Sequence, residues 1–159
     1  MLFIVFQLDD HRYALDAAQV QEILPLVTIK PIPHVPHGVA GVFKYRGVPL
    51  PVIDLSVLVL GRPAQRRLST RIIVVHYDND KGDKRLLGLI AEKAMETVRR
   101  EPNEFLSTGV SSERTAYLGP VASDSQGLLQ WVEIRKLLPP AVRDVLFQEV
   151  VETNGYRGV

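Results

Sequence analysis

The sequence predicts a mainly β chain of two small lobes packed about a pseudo-twofold axis, with short helices and a C-terminal helix, and three observations carry that prediction. Through most of the 159 residues, short runs of β-branched and aromatic side chains alternate with polar, Gly- and Pro-rich breaks. The chain also repeats itself. Phe3-Ile4-Val5-Phe6-Gln7-Leu8-Asp9 followed by Arg12-Tyr13-Ala14-Leu15 matches Arg71-Ile72-Ile73-Val74-Val75-His76-Tyr77-Asp78 followed by Arg85-Leu86-Leu87-Gly88-Leu89. Residues 41–58 match 119–137: each has a turn ending in Gly, a strand, and an acid-aliphatic pair with a later Leu, Asp54-Leu55 with Leu58 and Glu133-Ile134 with Leu137. Past Pro140, Val142, Val145, Leu146 and Val150 recur at helical spacing, and Asn154-Gly155 is a stop.

Taken in order, residues 3–8 and 12–15 form a hairpin across Asp9-Asp10-His11. Asp16 and Gln19 have capping-box spacing, so residues 17–23 read as a short helix of about two turns that ends at Pro25. Four prolines between 25 and 36 keep the next stretch extended. The central hairpin runs from Gly38 to Leu58 with its turn at Lys44-Tyr45-Arg46-Gly47, where Gly47 supplies a backbone angle that side chains resist. Pro49 and Pro51 are two apart and lose their N–H donors on one side, which reads as an edge strand with Val48, Leu50 and Val52 on one face and Ile53 on the other. Residues 61–70, with Arg62, Arg66 and Arg67, read as a surface connection. A second hairpin spans 71–77 and 85–90 around a polar turn at 78–83. Residues 91–100 read as helical, 102–115 as a polar loop with a helical turn near Asn103 to Leu106, and 116–121 and 128–134 as strands around a turn at 123–127.

Composition removes several functions. With 19 Lys and Arg against 18 Asp and Glu, the net charge of +1 gives no whole-molecule attraction to nucleic acid or acidic membranes. The absence of cysteine excludes disulfides, thiolate metal sites and cysteine catalysis. The first apolar run is too short to span a bilayer and is followed at once by acids, so neither a signal peptide nor a membrane anchor is expected. His34 and His37 are three apart in an extended segment and point to opposite faces, so no metal site is expected there, and His11 and His76 read as turn and strand residues. No nucleophile, base, metal set or phosphate loop has a recognisable spacing, so no cofactor and no catalytic residue is expected. The Arg62, Arg66, Arg67, Arg71 cluster raises one alternative, a small β-barrel that binds single-stranded nucleic acid. Such binding needs exposed aromatics, and the only Trp, Trp131, lies in a strand with a core role.

The wording R-G-V-x-x-P-V-I-D-L at 46–55, the opening 3–8 with Tyr13 to Asp16 and Val20 to Ile23, Leu86-Leu87-Gly88-Leu89-Ile90, and Tyr117-Leu118-Gly119 together resemble the CheW-like family of chemotaxis coupling proteins, from about Phe3 to Leu138. The resemblance implies a single CheW-like domain over residues 1–150, made of two five-stranded SH3-like barrels sharing a hydrophobic core, with a flexible tail at 151–159. It implies a non-enzymatic cytoplasmic adaptor, recruited to membrane-associated receptor arrays. Such an adaptor holds the regulatory domain of a CheA-type histidine kinase against the cytoplasmic tips of methyl-accepting receptors. Receptor binding then falls to Val20, Glu22, Arg46 and Gly47, with Glu22 and Arg46 close together. The kinase contact is barrel to barrel on exposed apolar strand residues of the first lobe, with no individual residue assigned. The chain departs from the family pattern at Lys44-Tyr45, where Asn-aliphatic is usual, at Pro49, and at Ala91-Glu92-Lys93-Ala94. These departures point to an accessory chemosensory system, such as one governing surface behaviour. A rival within the family is a module acting on a response regulator or phosphatase, and nothing in the chain resembles an attached receiver domain.

Overall fold

The computed structural model describes residues 1–78, 82 and 84–147. Ten strands and two helices follow one another as β1 (Leu2–Leu8), β2 (His11–Asp16), β3 (Val20–Pro25), β4 (Val39–Tyr45), β5 (Val48–Asp54), α1 (Leu55–Leu60), β6 (Arg71–His76), β7 (Leu86–Ala91), β8 (Glu96–Arg99), β9 (Leu118–Asp124), β10 (Gly127–Val132) and α2 (Pro140–Leu146), with 3-10 turns between some of them. They form two five-stranded sheets, β3-β6-β7-β5-β4 and β8-β1-β2-β10-β9. We call these the first and second lobes; the fold is mainly β and of the SH3-like two-barrel kind.

The duplication read from the sequence is present strand for strand. In each lobe an antiparallel hairpin (β6-β7, β1-β2) joins a second hairpin (β5-β4, β10-β9) through one parallel ladder, β5 with β7 and β10 with β2. The remaining strand, β3 or β8, pairs with the outer side of the first hairpin. Even the isolated bridges correspond, Lys30 to Val42 and Leu106 to Val121. The halves do not each make a lobe, however. Strands β1 to β5 give two members to the second lobe and three to the first, and β6 to β10 do the reverse.

This interleaving explains the continuous apolar runs. Along β1, Phe3 and Val5 turn into the second lobe against Ala14, Phe105, Ala122 and Leu129, while Ile4, Phe6 and Leu8 turn to the layer between lobes. Along β6, Ile72 and Val74 enter the first lobe with Leu50 and Val52, while Ile73 and Val75 join the shared layer. A strand buried on both faces has no polar face to show. Each such side chain contributes about 2 kcal/mol by leaving water.

The structure corrects several expectations. Asp16 does cap a helical turn, its carboxylate accepting from the Ala18 N–H at 2.9 Å, but the helix is only the 3-10 segment Ala17–Gln19. Residues 20–25 are strand β3, because β6 offers them a ladder and a place for Ile23 in the shared core. Residues 91–100 are not helical either: Glu96–Arg99 forms β8 on β1, with Val98 opposite Phe3. Strand β5 is interior, not an edge. Tyr45 and Val48 flank a two-residue turn and exchange bonds, so Lys44–Pro49 and Val42–Pro51 are alternate pairs whose backbone groups face away from each other. The donors that Pro49 and Pro51 lack therefore face β7, and the parallel ladder starts only at Val52 with Gly88. The prolines shorten that ladder. Helix α1 was not anticipated, although both stops are in the sequence: Asp54 accepts from the Ser56 and Val57 N–H groups, and Gly61 closes it at φ 76°. In α2, Val142 and Leu146 pack on the core while Val145 is exposed. Val150, the stop at Asn154-Gly155, the tail 151–159 and most of the 78–83 turn lie outside the described residues.

Candidate functional site

The turn that joins β4 to β5 consists of Arg46 and Gly47, with positive φ at both, 49° and 84°. Two successive positive angles define the type I′ turn, whose twist matches the strands and whose favoured pair is Asn-Gly. A side chain at positive φ costs about 1 kcal/mol. Arg46 is thus a poor local choice, and a strained choice at a loop tip points to a use outside the hairpin. Gly47 leaves its surroundings open, since a Cβ there would meet nothing within 4 Å.

Glu22 reaches this tip from β3. The ladder shifts register between Val20 and Glu22, so Val20 lies opposite Val75 and Glu22 opposite Val74. Val75 belongs to the shared layer and Val74 to the first-lobe interior, which places Val20 and Glu22 on opposite faces. Glu22 Oε1 accepts from the Tyr45 hydroxyl at 2.5 Å and from Arg46 Nη2 at 3.0 Å. The guanidinium carbon of Arg46 lies 5.2 Å from the Tyr45 ring centroid. Tyr45 itself is buried, its ring edge-on to Phe43. Its phenol is held above the ordinary value, first by the hydrogen bond to Glu22 and then by burial, so it stays a donor at neutral pH.

Of the expected receptor-binding residues, the fold brings together Glu22, Arg46 and Gly47 and puts Val20 on the other face. Two neighbours were missed. Tyr45 was read only as a departure from pattern, although a tyrosine beside a two-residue turn needs a partner for its hydroxyl once its ring is buried. Val48, opposite Tyr45, is 63% exposed and gives the tip an apolar flank. Arg46 is 67% exposed and Glu22 36%, so their pairing is worth on the order of 0 to 1 kcal/mol. It orients more than it stabilises, and it leaves the remaining guanidinium N–H groups facing solvent. We expect Tyr45→Phe to cost about 1 kcal/mol in a urea titration, the value of one hydrogen bond that leaves no charge buried. A loss several times larger means that the tip is part of the folding core.

The basic run at 62–71 does not present a uniform cationic face. Arg62 pairs with Asp9 and lies 3.6 Å from Glu92, while Arg66 and Arg67 are exposed. Trp131 packs edge-on against Phe3 and Phe105, at centroid distances of 4.9 and 5.1 Å, and is not laid open for base stacking. Among the described residues no group of three or more His, Cys, Asp or Glu is placed to hold a metal ion, and no helix is long and apolar enough to cross a membrane.

A family model described as CheW-like domain matches residues 2–141. The chemotaxis protein CheW of Klebsiella aerogenes is 29% identical over 143 residues, covering 86% of this chain and 80% of that protein. CheW of Rhizobium meliloti is 25% identical over 144 residues, covering 89% of each. The fold is similar to the crystal structure of scaffolding protein TtCheW from Thermoanaerobacter tengcongensis, with a TM-score of 0.75, 24% identity and 89% of each chain covered.

Proposed function

The chain belongs to the CheW-like domain family, adaptors of chemotaxis and not enzymes, and on that premise we propose that it couples methyl-accepting chemoreceptors to a CheA-type histidine kinase. The observation that carries the proposal is the tip cluster of Glu22, Tyr45 and Arg46, in which a buried phenol and an exposed carboxylate hold an arginine outward. The cytoplasmic tip of a receptor meets this surface at Glu22, Arg46, Gly47 and Val48. Val20 contributes from the opposite side of β3, through the shared layer that it packs against. The regulatory domain of the kinase docks elsewhere on the first lobe, barrel to barrel. The adaptor works in the cytoplasm at membrane-associated receptor arrays, where many moderate contacts add up.

The turn geometry supplies an unusually clean test. Arg46→Asn removes the charge and installs the residue that a type I′ turn prefers, so the protein should be as stable as the parent or more so while receptor affinity falls about tenfold or further. Arg46→Glu should do the same to binding, and adding Glu22→Arg should recover part of the loss if the pair orients the contact. Each variant is titrated against a receptor hairpin fragment and against the kinase regulatory domain. Unchanged receptor affinity in Arg46→Asn removes the tip from the interface. Equal loss toward both partners, with a lowered melting temperature, makes Arg46 structural.

A further inference from the structure

The connection between α1 and β6, residues 61–70, runs over the surface, yet its backbone is tied down along most of its length. Asp54 Oδ2 accepts from the Ala64 N–H at 3.0 Å, and Glu92 Oε2 accepts from the Gln65 N–H at 3.2 Å. Thr70 is buried and closes a turn, its N–H donated to the Arg67 carbonyl at 3.0 Å and its hydroxyl to the Gln65 carbonyl. The Ser69 carbonyl accepts from the Ala94 N–H at 3.0 Å, which fastens the turn to the residues that follow β7.

This anchored turn holds apolar side chains out in water. Leu68 is 99% exposed and Met95 68%, and each adjoins the bond between Ser69 and Ala94. One exposed leucine is ordinary; two large apolar side chains on segments bonded to each other begin a patch. Cations rim it. Arg66, Arg67 and Lys93 are exposed, and among the described residues none of the three has a side-chain ion pair or hydrogen bond. Lys93 also takes φ 50°, a conformation uncommon for a residue with a long side chain. Of the acids that adjoin these segments, Glu92 is buried and accepts from Ser56 and Gln65, and Asp9 pairs with Arg62. Glu96 is exposed at the start of β8, so one free acid stands against three free cations.

We propose that Arg66, Arg67, Leu68, Lys93 and Met95 form a docking point for an acidic segment of a partner protein. An apolar side chain of that segment packs on Leu68 and Met95, and its carboxylates meet the three cations. An apolar centre with a charged rim is how protein interfaces are built, and the sign of the rim selects the sign of the partner. Nucleic acid would call for aromatic rings to stack on, and residues 61–70 and 91–96 contain none. A bilayer would call for a broad apolar face, because surface binding scales with the apolar area buried, and here two side chains supply it. The docking point shares no residue with the hairpin tip, and it stands whether or not a receptor is held there.

Met95 supplies the probe, being one of two methionines in the chain, and Met1, whose carbonyl accepts from the Arg100 N–H, is the internal control. The full chain, isotope-labelled at its methionine methyl groups, is titrated with the acetylated, amidated peptide Glu-Glu-Leu-Glu-Glu-Leu. A saturable shift is expected at Met95 and not at Met1. Replacing the glutamates of the peptide by glutamine should weaken binding about tenfold, and so should the pair Arg66→Ser and Arg67→Ser, or Leu68→Ser alone. Because these side chains are exposed, the variants should melt with the parent. The glutamine peptide tests the charge without touching the protein, so a folding defect in a variant does not decide the matter. No saturable shift, equal affinity for the glutamine peptide, or an equal shift at Met1 overturns the proposal. So does a Met95 signal that answers to oligothymidylate or to phosphatidylglycerol vesicles and not to the peptide, which assigns the patch to nucleic acid or to lipid.

Discussion

Alanine at Gly41 should destabilise the protein by about 4 kcal/mol, at the upper end of what a single substitution does. Gly41 has φ +141°, where side chains rarely go, and a Cβ would lie 2.0 Å from the Lys30 carbonyl oxygen and 2.8 Å from its carbon. These are backbone atoms of a two-bond bridge, Lys30 N–H to the Val42 carbonyl at 2.8 Å and Val42 N–H to the Lys30 carbonyl at 3.0 Å. The bridge cannot give way without uncovering the outer edge of β4. That edge belongs to the hairpin we propose as the receptor contact, so on that proposal the variant should also bind receptor fragment less well. Gly47→Ala is the control: its φ is also positive, at +84°, yet nothing lies near the added carbon, and its cost should be about 1 kcal/mol. Urea titration of both variants checks this, and similar losses at the two positions would show that strain at positive φ dominates and that the Lys30 contact is not rigid.

The second large effect is expected at Asp124. Its Oδ1 accepts from Arg12 Nη2 at 2.6 Å and its Oδ2 from Arg100 Nη2 at 2.8 Å. Arg12 is 6% exposed, because its place opposite Leu129 in the parallel ladder puts it beneath the β9-β10 turn. Asp124→Ala leaves that buried guanidinium without its carboxylate and should cost about 3 kcal/mol. Arg100→Ala, which removes the more exposed partner, should cost less. The same arrangement sets a pH dependence. The Arg12 hydrogen bond is the largest cause holding the Asp124 carboxyl at about 2, against an ordinary value of 3.8. A depressed carboxyl binds its proton more readily in the unfolded chain, so its contribution is complete above pH 3.8 and is lost as the pH falls through about 2. Stability measured by denaturant across that window should fall less steeply in Asp124→Asn than in the parent. Parallel profiles would show that other carboxylates carry the acid sensitivity.

Much of this molecule is written in local pattern. The turn chemistry of Arg46-Gly47 and the alternation along β5 depend on residues within a few positions of one another, the pairs β1-β2 and β6-β7 on runs that follow each other in the chain, and the repeat joining Asp54-Leu55 to Glu133-Ile134 on similarity of wording, and all are visible in the chain. Glu22 and Arg46 also follow from the resemblance, and the structure pairs them, Glu22 Oε1 accepting from Arg46 Nη2.

What the sequence left open is everything that depends on a distant partner. Residues 17–23 and 91–100 carry helix-compatible signals, yet 20–23 and 96–99 are strand because β6 and β1 offer them unsatisfied ladders. Pro49 and Pro51 mark which side of β5 lacks donors, but only the approach of β7 to that side makes the strand interior. The same holds for the lobes. By itself the sequence determined that there are two related halves, since repetition is a property of order along the chain. Only the tertiary structure decided that each lobe takes strands from both halves. A strand with apolar side chains on both faces must bury both, and interleaving the halves gives every such strand a lobe interior on one side and the shared layer on the other.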